Sequence, residues 1–205
     1  SYVQSLIEDE RYNKDIFNTL EHLGKLNTTN FDPNLLEPDY KLLYNNQYHG
    51  DTNINHLFDK KQILIIGSGK TIEEYKDHIE RFKRSQKLVT ISLNKSDIFD
   101  LDYIDFIAIS HLGRINIEIN DILKYKKKLI APPSIINKYN ISKKLCVSYG
   151  LKISNKIKSY KNYCELPSPL VLNYVLLLLT NTKARQIYLA GIDGFNDDHK
   201  NREIN

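Results

Sequence analysis

The apolar positions change period near residue 61. Over residues 2–26 they recur at helical spacing: Val3, Leu6 and Ile7 form one stripe, and Ile16, Leu20 and Leu23 another. This stretch predicts a helical pair, with Asp15 placed to cap the second member. In FDPNLLEPDYKLLYNN, Asp32 is placed to cap a further helix and Pro33 to open it, where a missing N–H is tolerated. QYHGDTNINHLFDKK has no period and contains Gly50, so it reads as a linker.

From residue 61 short apolar runs alternate with helical stretches. QILIIG is a continuous β-branched run, the pattern of a strand buried on both faces. Residues 71–85 set Ile72, Tyr75, Ile79 and Phe82 at spacings of three and four, an amphipathic helix. LVTISLN, DFIAIS and KKLIAPP predict three more strands, the last stopped by Pro132 and Pro133, and KLCVSYG a fifth. PSPLVLNYVLLLL predicts a buried helix and QIYLAGIDG a closing strand. Alternating strands and helices imply a parallel sheet with right-handed crossovers. The expected fold is therefore an α/β, Rossmann-like doubly wound sheet over residues 61–205, with a helical N-terminal extension (1–46) and a linker (47–60).

Composition narrows the partners. The 29 basic and 25 acidic residues leave a net charge of +4, and basic runs such as Lys126-Lys127-Lys128 are short, which argues against a nucleic-acid ligand. Cys146 and Cys164 form no CxxC and no disulfide framework, so a reducing cytoplasm is the expected setting. Nothing at the start has the form of a signal peptide. The longest apolar run, residues 170–179, includes Asn173 and is far below the ~20 residues of a membrane span. A chain without Met that opens at Ser1 inside a helical pattern is expected to be a fragment of a longer protein.

The first strand runs into GSGKT. A P-loop needs a first glycine five positions before its GK pair, so that backbone N–H groups wrap the phosphates. Counting back from Gly69 reaches Leu64, inside the strand, so this is not a P-loop. What remains is a strand, a Gly67-Ser68-Gly69 turn and a helix opening at Thr71, a place for an anion that Lys70 can help neutralise. The alternative is a tight turn and nothing more. Ile72 stands where the dinucleotide fingerprint has its third glycine, and Asn94 where NAD binders carry an acidic residue, which argues against a plain NAD site.

Ligands of such sheets sit beyond the carboxyl ends of the strands, and this selects the other candidates. Asn94 can read a base or sugar edge through its amide, or simply end a strand. Ser110 and His111 follow the third strand, where His111 is a weak candidate for general acid or base. Ser168, ahead of Pro169, suits an N-cap and a second anion site. Gly191, Asp193 and Gly194 follow the last strand, so the Asp193 carboxylate is a candidate for a ribose, a sugar hydroxyl or a metal, or for an ordinary Asp-Gly turn. His22, His49, His56, His78 and His199 show no metal spacing, so no metal site is expected.

Taken together, ILIIGSGKTIEEYKDHI, VTISLN and IYLAGIDGF resemble a family of bacterial surface-polysaccharide (lipopolysaccharide or capsule) proteins. In that family a domain of this kind follows an aldolase-like barrel similar to 4-hydroxy-2-oxovalerate aldolase and HMG-CoA lyase. The first 40 residues look like the helical tail of such a barrel. The strand-turn-helix and the A-G-x-D-G are also distantly similar to the MptE-like pterin diphosphokinases and to bacterial sialyltransferases that use CMP-sugar donors. Those relatives carry Pro-Ser after the turn, where this chain has Lys70-Thr71, and Ser-Gly before the late helix, where it has Ser168-Pro169.

The resemblance implies a nucleotide-type ligand, with Gly67, Ser68 and Gly69 as the phosphate turn, Asn94 as a donor contact, and Asp193 and Gly194 at the cleft edge. It also implies glycosyl or phosphoryl transfer, an upstream aldolase-like partner domain, and a metal-dependent aldolase centre that would lie outside this chain. A diphosphokinase would require Mg²⁺, with Asp193 and Asp97 as its carboxylates. The competing expectation is a non-catalytic module that binds or regulates the upstream barrel. Homo-oligomerisation stays open.

Overall fold

The computed structural model describes residues 40–51 and 54–193. The chain divides into two compact units, residues 1–43 and 44–205. Of the first only residues 40–43 are described, so the helical pair at 2–26 and the caps at Asp15 and Asp32 lie outside the described residues, as does Gly194. Everything below concerns the second unit.

Its centre is a six-stranded parallel sheet. Strands β1 (Gln62–Ile66), β2 (Val89–Leu93), β3 (Phe106–Ala108), β4 (Lys128–Ala131) and β5 (Cys146–Ser148) pair in sequence order. A last strand, called β9 in chain order (Gln186–Ala190), returns to the open flank of β1. The sheet order is β5-β4-β3-β2-β1-β9, all pairs parallel. This is the Rossmann-like α/β fold that the alternating pattern predicts. Apolar runs without alternation became the inner strands because both faces are covered: Ile63, Ile65, Ile66, Ile91, Ile107 and Ile130 are each 0–1% exposed. Burying such a side chain contributes about 1.5–3 kcal/mol.

The helices end where the chemistry dictates. The predicted helix after β1 is two pieces, α3 (Thr71–Glu74) and α4 (Lys76–Gln86), broken at Tyr75, and α4 ends on Lys87 in the left-handed region. Helix α5 (Leu112–Lys124) buries Leu112, Ile115, Ile119 and Ile122 along one stripe. Pro133 starts α6 (Pro133–Lys138), where its fixed φ suits a first turn. The apolar late helix is α7 (Val171–Thr180), with Tyr174, Val175, Leu178 and Leu179 buried.

Two differences from the sequence expectations have physical causes. First, the stretch read as a linker is built into the unit. Helix α1 (Tyr40–Asn46) runs into it, a turn of helix α2 (Asn55–Phe58) lies within it, and Tyr44, Ile54 and Phe58 are buried. Ile54 and Phe58, with Tyr44 just ahead of them, anchor a segment that has no period of its own.

Second, the fifth strand is followed by a second sheet, unmarked in the sequence. In it β6 (Gly150–Ile153) pairs parallel with β8 (Tyr163–Leu166), and β7 (Lys158–Ser159) pairs antiparallel with β8. The core of this sheet is polar as well as apolar. The Tyr149 hydroxyl lies 2.9 and 2.8 Å from the carbonyls of Tyr160 and Tyr163 and accepts from the Asn181 amide at 3.0 Å, while the buried Tyr174 hydroxyl donates to the Tyr149 carbonyl. Burial pushes both phenols above their usual range.

Residues 48–50 cross the β5–β6 corner backbone to backbone. A Cβ on Gly150 would stand 1.6 Å from the Tyr48 carbonyl oxygen, and one on Gly50 2.2 Å from the Ser148 carbonyl oxygen. A Gly150→Ala chain therefore has to move backbone, and we expect a loss of about 3 kcal/mol or more in urea unfolding. Wild-type stability in that variant would mean the crossing is not tight in solution.

Candidate functional site

From β1 to β5 the chain steps steadily across the sheet, and it then returns to the far side of β1 as β9. The direction reverses between β1 and β9, and such a switch point opens a crevice at the carboxyl ends of the strands. The structure brings Gly67, Gly69 and Thr71 together with Gly191 and Asp193 at this place. It does so through hydrogen bonds that change what the turn can do.

The Gly67 N–H donates to the Ala190 carbonyl at 2.8 Å, and the Gly69 N–H to the Gly191 carbonyl at 2.9 Å. The Thr71 N–H donates to Asp193 Oδ2 at 2.8 Å, and the Thr71 hydroxyl donates to Asp193 Oδ1. Three N–H groups expected to face a phosphate are thus taken by the chain itself, and the anion at the helix start is the Asp193 carboxylate. Hydrogen bonds from the Thr71 hydroxyl and N–H hold that carboxyl below its ordinary range. A Cβ on Gly69 would lie 2.5 Å from the Asp193 carboxyl carbon, so this glycine admits the carboxylate. Gly191 turns at φ +67, a conformation glycine adopts without cost. Helix α3, four residues long with Glu73 and Glu74 in its first turn, adds little attraction for a further anion. Ser68 and Lys70 stand exposed on the rim.

Asn94 follows β2 in the left-handed region at φ +63, which Asn tolerates better than most residues. Its N–H donates to the Ala108 carbonyl at 2.9 Å, and its own carbonyl accepts from the Ser92 hydroxyl at 2.9 Å. The side-chain oxygen Oδ1 is buried and has no hydrogen-bond partner among the described residues. A buried acceptor left unpaired costs about 1–3 kcal/mol, so it calls for a donor.

Ser110 is committed elsewhere. Fully buried, it donates through its hydroxyl to the Pro169 carbonyl at 2.7 Å and accepts from the Tyr44 hydroxyl at its own carbonyl. Ser168 does not cap the late helix. Helix α7 starts at Val171 with Leu170 in the cap position and no side-chain cap bond, because Pro169, held by Ser110, keeps the approach extended. His111 caps α5 instead: its Nδ1 accepts from the Gly113 N–H at 3.2 Å. Part of the ring stays open to solvent, yet the packing around it and then the Arg114 charge lower its pKa. Asp97 pairs with Lys95 at 3.1 Å. Among the described residues no cluster of three His, Cys, Asp or Glu side chains could hold a metal ion.

A further concavity has no motif to mark it. A cavity of about 310 Å³ runs beside β5, walled by residues 46–51, by Pro133, Ile136 and Asn137 around α6, and by Lys143, Cys146 and Ser148. Its walls come from three separate segments of the chain.

The fold and its switch point make this unit a Rossmann-like α/β domain. No protein-family model matches the chain, and no curated protein matches it. No helix among the described residues is long and apolar enough to cross a membrane.

Two titrations follow from these contacts. Asp193 is lowered in the folded state, so the stability it adds is present above about pH 4 and is lost as pH falls through the folded value. The melting temperature of Asp193→Asn should then fall less than wild type on acidification. His111 is also lowered, so the unfolded chain takes up that proton first, and stability present above about pH 6.5 declines as pH falls. His111→Asn keeps an N-cap acceptor and should flatten the melting-temperature profile across this range; an unchanged profile would contradict the assignment.

Proposed function

We propose that this domain binds a nucleotide or nucleotide sugar at the carboxyl edge of its parallel sheet, next to the β1–β9 switch point. We place it as a cytoplasmic module of an aldolase-like protein in surface-polysaccharide synthesis, a context that rests on the sequence resemblance alone. The observation that carries the ligand reading is the buried, unpartnered Asn94 Oδ1 at the end of β2. An exocyclic amine or a ribose hydroxyl supplies the donor it lacks. Ser68 and Lys70 are the groups left on the rim to meet phosphate, the role expected of Gly67 and Gly69 being taken by contacts to β9 and its turn.

In glycosyl or phosphoryl transfer such a site works by positioning and by stabilising charge on the leaving phosphate. Among the described residues neither candidate base stands free at the edge: both Asp193 oxygens accept from Thr71, and His111 Nδ1 caps α5. Asp193 and Asp97, the carboxylates a diphosphokinase would need for Mg²⁺, are each engaged, so the donor set does not fit that ion and no step is routed through it.

A separate observation favours a second reading. On the edge strand β9 and just after it, Ile187, Leu189 and Ile192 are 37, 51 and 36% exposed. Such a stripe suits a non-catalytic module that docks on the aldolase-like barrel.

A thermal-shift panel of CMP, CDP, UDP, GDP, ATP and CMP-sialic acid separates the two. A ligand at 100 times its Kd adds about 2.7 kcal/mol of stability. We expect one nucleotide class to raise the melting temperature and the rise to disappear in Asn94→Gly, which keeps the left-handed backbone and removes the amide. No shift with any nucleotide, or a shift that Asn94→Gly retains, would overturn the nucleotide reading at this site. The docking reading expects no shift, together with loss of association with the barrel in Leu189→Asp.

A further inference from the structure

The cavity beside β5 is an open concavity with one wall set by a close backbone crossing. The crossing at Gly50 and Gly150 presses residues 48–50 against the β5–β6 corner. The Gly50 N–H donates to the Asn162 carbonyl at 2.9 Å, and the Asn162 amide returns a bond to the Gly50 carbonyl at 3.2 Å. Tyr48 is held in an aromatic cluster, 4.3 Å from His49 and 5.1 Å from Tyr163, with Lys152 5.1 Å from its ring. One wall is thereby fixed, and α6 supplies the other.

Charge inside the cavity is already balanced. Lys143 lies 3.2 Å from Asp51. Burial would raise the Asp51 carboxyl, but hydrogen bonds from Lys143 and Ser148 outweigh it and leave the pKa below the ordinary value, so the pair stays ionised. Both side chains are exposed and offset each other, so this pair leaves the lining no net charge to attract a charged ligand. The Cys146 thiol, pushed up to about 11 by burial and by Asp51, is protonated at neutral pH, so the lining offers no activated nucleophile.

What the cavity does offer is paired donors and acceptors. Asn137 Nδ2 donates to Gln47 Oε1 at 2.7 Å, a bond that uses half of each amide. The Asn137 carbonyl and the Gln47 amino group remain, an acceptor and a donor side by side, which is the demand of a hydroxyl group. Pro133, Ile136 and Tyr48 add apolar groups to the lining. A volume of about 310 Å³ is at the small end of ligand pockets, which begin at about 300 Å³. It has room for one six-membered polyhydroxylated ring.

We propose that this cavity binds a small neutral, hydroxyl-rich ligand of monosaccharide size, held by Gln47, Asn137 and Asp51 against Tyr48 and Ile136. The site lies four strands from β1, about 19 Å at ~4.8 Å per strand, and does not depend on a nucleotide at the switch point.

The test is a ¹H–¹⁵N NMR titration of the 205-residue chain with D-glucose, D-galactose and N-acetyl-D-glucosamine, with glycine and inorganic phosphate as charged comparisons. At least one sugar should move the side-chain amide signals of Asn137 and Gln47 and the Gly50 amide, saturating near 10 mM for a Kd of about 1 mM. Asn137→Ala, an exposed helix substitution that leaves the fold intact, should weaken binding about tenfold, the loss of one hydrogen bond. The proposal fails if all three sugars leave these signals in place, if Asn137→Ala binds as well as wild type, or if phosphate or glycine moves them instead.

Discussion

The pairing of β9 with β1 is the constraint on which the rest of this unit depends. Five residue pairs, from Gln62↔Gln186 to Ile66↔Ala190, join segments more than a hundred positions apart. That closure turns β1, whose run Ile63-Leu64-Ile65-Ile66 is buried, from an edge into an interior strand with both ladder edges paired. It also creates the reversal in strand order, and with it the crevice at the carboxyl edge. The closure continues beyond β1: Gly67 donates to Ala190 at the end of β9, Gly69 to Gly191 in the turn after it, and Asp193 accepts from Thr71.

This seal explains why glycines stand where a phosphate turn would put them. A Cβ at Gly67 would lie 2.4 Å from the Gly191 carbonyl oxygen, so the first demand on the position is the approach of another backbone. A ligand at this edge meets a turn whose Gly67, Gly69 and Thr71 N–H groups already bond within the chain. Besides Ser68 and Lys70 on the rim, the Asn94 amide oxygen one strand away lacks a partner among the described residues, and this shifts the centre of the candidate site from β1 toward β2.

The same device recurs at the opposite flank. Gly50 and Gly150 let two backbones cross, and the crossing makes a wall for the cavity beside β5. Glycine-permitted contacts between segments distant in sequence thus occur at two places on the sheet, the β1–β9 turn and the β5 flank.

The sequence by itself determined the strands, their parallel class and the residues at their carboxyl ends, because continuous β-branched runs and helical spacing are local patterns and each was read within a dozen residues. Gly67, Asn94, Ser110 and Asp193 all stand at strand ends as their positions in the chain imply. Tertiary structure decided what those residues do. Whether a turn's N–H groups face solvent or a neighbouring carbonyl, whether Asp193 waits for a ligand or caps Thr71, and whether Ser168 or Leu170 precedes α7 are set by partners that local pattern does not name. The loop of residues 46–51 and the small sheet of β6, β7 and β8 were hidden for the same reason. Their order comes from a few long-range hydrogen bonds and one backbone crossing rather than from any period in the chain.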